Sequence, residues 1–296
     1  MNYLVLDVGG SSIKYALIDE KLNIKNKNSV PTPMDTLDHF IETIGQIYDQ
    51  YKDQIKGMAL SMPGVIDPQR GYQYTGGSLR YIDKLETVKV LQKRCPTQIT
   101  IGNDAKCAAN AEIGYGNLQD IQDGAVVILG TGIGGCLIKD HQVHTGRHFS
   151  AGEFSFIKTN ATDPLTWDWA WSTRNGIQGL LERVQESLHT DEHLTGIEIF
   201  EKANQGNEKV IAGIDAFAKE VATQIYNVHI IFDCEKVAIG GGISAQPLLI
   251  DLIQKNLNNI FDHLGFDIAR PEIVPCHFRN DANLIGALYQ HLQTFK

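Results

Sequence analysis

An apolar run from Tyr3 to Val8 stops at Gly9-Gly10 and resumes from Ile13 to Ile18. Two such runs around a Gly-Gly-Ser-Ser bend predict a buried β-hairpin. After a polar stretch, apolar positions return at helical spacing: Leu37, Phe40, Ile41, Ile44, Ile47, Tyr48 and Tyr51, with Asp35 or Thr36 placed to cap the helix. A short strand from Gly57 to Ser61 is ended by Pro63-Gly64. A helix is expected from Lys84 to Arg94, a strand from Gln98 to Gly102, and an alanine-rich helix from Asn103-Asp104 to about Ile113.

The pattern then restarts. Ala125 to Leu129 predicts a strand, Gly130-Thr131-Gly132-Ile133-Gly134-Gly135 a bend, and Cys136 to Lys139 a second strand. A shift of 120 residues lays Leu17-Ile18 on Leu137-Ile138 and Gly10 on Gly130, so an internal duplication is expected. Further helices are predicted at 176–188, 196–204, 207–232, 246–261 and 281–292. A strand at 236–239 runs into Gly240-Gly241-Gly242, and another covers 272–275. The chain thus reads as α/β in two related lobes. The helical pattern breaks between Gly116 and Gln122, which gives lobes of residues 1–118 and 119–296, with the last helix, from about 283, returning to the first.

Composition narrows the class. The 296 residues, 43% hydrophobic, suffice for two ordinary cores. The net charge is −9 and no Lys/Arg run occurs, which argues against nucleic-acid binding. The five cysteines are scattered, without a CxxC pair, so a reducing, cytoplasmic setting is expected rather than a disulfide framework. The N-terminus lacks a signal-peptide pattern, and no stretch approaches the ~20 apolar residues that span a bilayer, so no membrane partner is expected.

Five constellations carry candidate chemistry. In the first hairpin, Gly9 and Gly10 let backbone amides approach a phosphate, Ser11, Ser12 and Lys14 add donors or charge, and Asp7 suits a hydrated Mg²⁺. The alternative is a plain hairpin. Four glycines in the six residues from Gly130 to Gly135 exceed what a hairpin needs and suggest close approach to a ligand. No Walker loop occurs, and a strand rather than a helix follows, so this is not a dinucleotide fingerprint. Gly240-Gly241-Gly242-Ile243-Ser244, between a strand and a helix, would place N–H groups at a helix N-terminus or would be only a tight turn. Asn103-Asp104 is either a helix cap or a general base for a hydroxyl attacking a γ-phosphate. Glu153, after Ala151-Gly152, either accepts bonds from sugar hydroxyls or is a surface residue.

Taken together, these segments resemble a known family. DVGGSSIKYALID, LGTGIGG and AIGGGIS resemble the two phosphate motifs and the adenosine motif of the actin-like ATPase superfamily. SMPG (61–64), NDAKCAANAE (103–112) and HTGRHFSAGE (144–153) resemble the ROK group of sugar kinases and repressors. The resemblance implies an α/β actin-like (ribonuclease H-like) fold of two duplicated lobes with a cleft between them. It implies ATP-dependent phosphorylation of a hexose or hexoside, at the 6-hydroxyl, by a homodimer. Residue by residue, Asp104 would be the base. Asn103 and Glu153 would bind sugar hydroxyls, with Gly64 near the sugar and Asp168 where the family has a further sugar-binding carboxylate. Gly9, Gly10, Ser11, Ser12, Lys14, Thr131, Gly132, Gly241 and Gly242 would line ATP. Asp7 would assist Mg²⁺, with Asp104 the second candidate carboxylate for the ion.

One departure matters. Many members follow the glutamate with Gly-His and a zinc-binding cysteine cluster. Here Phe156 stands in the place of the histidine, and no cysteine lies between Cys136 and Cys234, so no structural zinc is expected. Zinc-free members include β-glucoside kinases, which favours glucose or a β-glucoside as substrate, with N-acetylmannosamine or fructose as alternatives. Trp167, Trp169 and Trp171 pack a core, form a dimer contact or wall a sugar pocket. The family's repressors carry a helix-turn-helix ahead of the first phosphate motif. That motif begins at Asp7, so the repressor reading is disfavoured. Asn103-Asp104 and Glu153 argue against an acetate-type kinase.

Overall fold

The first apolar runs form β1 (Asn2–Val8) and β2 (Ser12–Asp19), and β3 (Ile24–Pro31) pairs on the far side of β2. In this computed structural model the described residues are 1–162, 164–189 and 194–296. The chain continues through α1 (Leu37–Tyr51), β4 (Ile55–Met62), β5 (Ile66–Asp67), β6 (Tyr72–Gln73), α2 (Thr87–Arg94), β7 (Gln98–Asn103) and α3 (Asp104–Tyr115). Next come β8 (Gly124–Leu129), β9 (Ile133–Lys139), β10 (Gln142–His144), α4 (Trp171–Asn175), α5 (Ile177–Leu188), α6 (Gly196–Asn204) and α7 (Glu208–Phe232). The last elements are β11 (Lys236–Gly240), α8 (Pro247–Asp262), β12 (Glu272–Pro275) and α9 (Ala282–Thr294).

The described residues divide into two units. One holds Met1–Tyr115, Gly146–Ser150 and Asp281–Lys296; the other holds Gly116–Thr145 and Ala151–Asn280. The last helix returns to the first unit, and so does the short segment Gly146–Ser150. Asn117 joins the second unit by donating to the Pro275 carbonyl at 2.8 Å. Phe149 joins the first by stacking on Tyr74, and Asn283 by donating to Asp7.

Each unit has a five-stranded sheet of the same topology. In the first the order is β3-β2-β1-β4-β7, antiparallel up to β1 and parallel beyond it. In the second it is β10-β9-β8-β11-β12 with the same switch of direction at β8. The duplication expected from the two glycine-bent hairpins therefore extends to whole sheets.

In the first unit, Leu4, Leu6, Met58, Leu60 and Phe40 pack one core. Thr36 caps α1 by accepting from the His39 amide at 3.2 Å. α3 is almost entirely buried because α9 covers it closely: a Cβ at Gly286 would lie 1.6 Å from the Cys107 carbonyl oxygen. In the second unit, α5, α7 and α8 close over Val127, Ile239 and the fully buried Trp171. The buried Arg183 guanidinium meets Glu220 at 2.8 Å and fixes α5 on α7. A two-point Arg–carboxylate pair holds such a crossing in one geometry. All five cysteines are buried; burial pushes the Cys95 thiol up to about 11 and Cys234 to about 12, so both are packing groups.

Local differences from the sequence reading have physical causes. Lys84 has φ 55°, a left-handed conformation that cannot continue a helix, so α2 starts only at Thr87. β3 went unpredicted because its residues, IKNKNSVP, are mostly exposed on an edge. Among the described residues no helix is long and apolar enough to cross a membrane.

His291 of α9 is buried against Gly57, stacks edge-on to Tyr3 and bonds Thr100 at 2.9 Å through Nδ1. Burial pushes its pKa down to about 4 from 6.5. Between those values the unfolded chain takes up a proton that the folded chain refuses. Stability is therefore full above pH 6.5 and falls as the pH drops toward 4, by about 1.4 kcal/mol per unit of pKa difference. In urea titrations His291→Gln is expected to flatten the slope of stability against pH in that window; an unaltered slope counts against the assignment.

Candidate active site

Parallel strands bring distant residues to one edge of a sheet. In the first unit β1, β4 and β7 run side by side, with Asp7 opposite Ser61 and Met62 opposite Asn103. Their carboxyl ends therefore carry Asp7, the Ser61–Gly64 segment and Asn103-Asp104 together, the usual place for a ligand in an open α/β sheet.

Asp7 is buried, and its Oδ1 accepts from Ser61 Oγ at 3.1 Å and from Asn283 Nδ2 at 2.9 Å. Its Oδ2 lies 3.8 Å from Lys14 Nζ, whose side chain is half exposed. The bend beyond is stiff. Gly9 N–H donates to the Ser12 carbonyl, and Thr32 bonds both the Gly9 and Ser11 carbonyls. Gly10 and Ser11 stand exposed at the tip, Ser12 enters β2, and a Cβ on Gly10 would come within 3.2 Å of Ser78 Oγ.

Asn103 is a helix cap and also ties down a second loop. Its Oδ1 accepts from the Lys106 amide at 3.2 Å, as a cap does, and its Nδ2 donates to the Gly64 carbonyl at 3.0 Å. Gly64 has φ 97°, and a Cβ there would lie 1.9 Å from the Thr75 carbonyl oxygen, so the loop admits only glycine. Asp104 begins α3, is exposed, and accepts from the Ala105 amide at 2.7 Å. The helix N-terminus favours its negative charge.

In the second unit the matching strand ends carry the other glycine segments. The bend after β8 comprises only Gly130–Gly132, because β9 already starts at Ile133. Thr131 is exposed at its tip. The surplus of glycine that suggested a ligand has a packing reason at two positions. A Cβ at Gly132 would meet Ser172 Oγ at 2.1 Å, and one at Gly135 the Phe154 ring at 2.1 Å. Ser172 in turn accepts from the Ile133 amide at 3.2 Å. After β11 the helix does not follow at once. Ser244 closes a turn by donating to the Gly241 carbonyl, and α8 starts at Pro247, which brings no amide hydrogen. The expected helix N-terminus at Gly241-Gly242 is thus a turn ahead of the helix.

Beside this turn lies a cavity of about 370 Å³ within the second unit. Ser244, Pro247, Ile250 and Asp251 line one side, and Cys276 and Arg279 the other. The glycines are visible in the sequence but this cavity is not, because its walls come from separate segments around Asn117, 244–251 and 275–279.

Glu153 heads a tight turn over Phe154–Phe156, and its carbonyl accepts from the Phe156 amide at 3.2 Å. Gly152 places it: with φ 79°, a Cβ there would lie 2.8 Å from the Cys136 backbone of β9. Asp168 is exposed on the turn Trp167–Trp169, which a bridge between Lys158 and Ala170 ties to the segment after Glu153. The three tryptophans part company: Trp171 is core, Trp169 lies under the Arg174 guanidinium at 5.3 Å, and Trp167 is exposed and pairs with Phe156 at 5.4 Å.

The model of the ROK family matches residues 3–293. The chain belongs to the ROK family. A β-glucoside kinase of Klebsiella pneumoniae is 30% identical over 81% of this chain and 80% of its own. An N-acetyl-D-glucosamine kinase of Haemophilus influenzae is 29% identical over 86% of this chain and 88% of its own. A ROK family protein from Streptococcus pneumoniae, solved in complex with sucrose, superposes with a TM-score of 0.86 at 27% identity, covering 100% of this chain and 99% of that one. The two duplicated α/β sheets are thus those of the ROK branch of the actin-like ATPase fold.

The ROK glycines separate by role. Gly241 has φ 94°, and a Cβ there would lie 2.0 Å from the Leu129 carbonyl oxygen, whereas Gly242 has nothing within 4 Å of its added Cβ. Gly241→Ala is expected to lower the melting temperature by several degrees, about 1–3 kcal/mol. Gly242→Ala is expected to leave it within about a degree, since surface changes stay near 0.5 kcal/mol. Equal losses in differential scanning calorimetry would show the distinction to be false.

Proposed function

We propose that this ROK-family chain transfers the γ-phosphoryl group of ATP to the 6-hydroxyl of a hexose or β-hexoside, with Asp104 as general base. The observation that carries the reading is the Asn103–Asp104 junction. Asn103 is locked between the start of α3 and the Gly64 carbonyl, so the adjacent carboxylate of Asp104 is held at the strand end and faces solvent. The kinases among the relatives support the class of reaction.

The sugar hydroxyl gives its proton to Asp104 as its oxygen bonds to the γ-phosphorus. The bond from that phosphorus to the bridging oxygen breaks, and ADP leaves. Little covalent chemistry is asked of the protein, so positioning and charge dominate. Asn103 and Glu153 bind sugar hydroxyls, with Gly64 beside the sugar and Asp168 as a further carboxylate for it. The Gly9–Ser12 and Thr131–Gly132 bends, with Lys14, receive the phosphates. The cavity beside Ser244, of ordinary ligand size, takes the nucleoside.

Mg²⁺ fits this arrangement through Asp7. Among the described residues no group of three or more His, Cys, Asp or Glu could hold a metal alone. Mg²⁺ commonly relies on one carboxylate, water and substrate phosphates, and Asp7 is a buried carboxylate held in place by Ser61 and Asn283. Bound there, it would neutralise phosphate charge.

Glucose or a β-glucoside is the favoured substrate class, in line with the Klebsiella relative. An N-acetylhexosamine is the second reading, in line with relatives named N-acetyl-D-glucosamine kinase and N-acetylmannosamine kinase. A coupled ADP-release assay over glucose, cellobiose, fructose, N-acetylglucosamine and N-acetylmannosamine decides between them. Asp104→Asn is expected to lower kcat by about 10²–10⁴-fold while ATP still binds by calorimetry; a near-normal kcat refutes the base.

A further inference from the structure

The first unit carries a row of aromatic rings that the phosphoryl-transfer machinery leaves unused. Tyr74 and Phe149 are stacked, with centroids 5.7 Å apart and planes inclined by 22°. Tyr72 meets Tyr74 edge-on at 5.0 Å, and the Arg70 guanidinium covers the Tyr72 ring at 5.1 Å. Tyr74 is 39% exposed, and Phe149 is partly buried.

The row is built rather than incidental. Phe149 has φ 60°, a left-handed conformation rare for an aromatic residue. Its carbonyl accepts from the ammonium of the buried Lys106 at 3.2 Å, which holds the strained residue under Tyr74. Both ends of the stack are also wired to the proposed acceptor site. Lys106 lies on α3, two residues after Asp104. The Tyr74 amide donates to the Val65 carbonyl at 2.8 Å, and Val65 adjoins Gly64, whose own carbonyl is held by Asn103. Thr75 repeats the tie, accepting through Oγ1 from the Val65 amide at 3.0 Å.

We propose that Tyr74 and Phe149 form a stacking subsite for the second pyranose ring of a β-linked disaccharide. The inference rests on the sugar-kinase reading and names its substrate class. A pyranose offers apolar C–H faces between polar edges, and aromatic rings are the side chains that cover such faces. A β-linked glucosyl pair has equatorial bonds at its linkage, so its second ring continues the plane of the first and lies flat on a wall. An α-linked pair turns away from it. Arg70 at the outer end of the row supplies donors for the ring hydroxyls.

The test compares kcat/KM on cellobiose, maltose and glucose for the wild type, Tyr74→Ala, Tyr74→Phe and Phe149→Gly. Glycine suits the left-handed backbone at 149, so that variant loses the ring without added strain. The ratio of cellobiose to glucose turnover is expected to fall about tenfold in Tyr74→Ala and Phe149→Gly, through KM, and to persist in Tyr74→Phe. An unchanged ratio, or an equal effect on maltose, overturns the subsite. So does a wild type that phosphorylates monosaccharides alone, which would leave the kinase reading intact. If the wild type phosphorylates no sugar, the kinase reading fails instead, and calorimetric titration with cellobiose still decides the subsite: heat that is lost in Tyr74→Ala supports it, and no heat with the wild type overturns it.

Discussion

The parallel register of β1, β4 and β7 is the constraint on which the proposed acceptor site depends. It sets Asp7 opposite Ser61 and Met62 opposite Asn103, so three segments far apart in sequence end at one level. Everything further along is suspended from those ends. Ser61 and Asn283 hold the Asp7 carboxylate, Asn103 holds Gly64, and Gly64 admits the Thr75 backbone against itself. A one-residue slip in either pairing would turn alternate side chains to the other face and dissolve the constellation. The burial of Leu4, Leu6, Met58 and Leu60 in the core prevents that slip.

The second unit repeats this plan with different cargo. Its sheet has the same order and the same reversal of direction, but its strand ends carry glycine turns and a cavity in place of the Asn-Asp junction. One topology, used twice, thus supplies two kinds of strand end. The glycines differ in how much packing requires them. Gly64 and Gly241 are required by carbonyl oxygens, Gly132 and Gly135 by Ser172 and Phe154, and Gly242 by nothing that the protein itself places there.

Much of this was legible in the sequence, and the exceptions are instructive. The buried strands announced themselves as apolar runs and the amphipathic helices by their period, so both hairpins and the long α7 stood out. β3 did not, because an exposed edge strand has no apolar face to show. α2 is shorter than its pattern suggests because nothing in the sequence marks Lys84 as left-handed. The candidate site residues could be named from sequence, since glycine bends and carboxylates at strand ends are local features. Their partners could not: Ser78 and Asn283 reach the candidate site only through tertiary pairing, as the 276-residue separation of Asn283 from Asp7 shows. The stack of Phe149 on Tyr74 was hidden for the same reason.

α9 also has a consequence for how the molecule is made. It completes the first unit, where it covers α3 and supplies Asn283 to Asp7, yet it is the last helix of the chain. The whole of the second unit lies between α3 and α9 as an insertion. Synthesis from the N-terminus usually lets the first domain fold first. Here the five-stranded sheet of the second unit has all its strands once β12 has emerged, while α3 and the Asp7 carboxylate lack their partners on α9 until that helix follows. The first unit therefore cannot be completed before the second has been made in full.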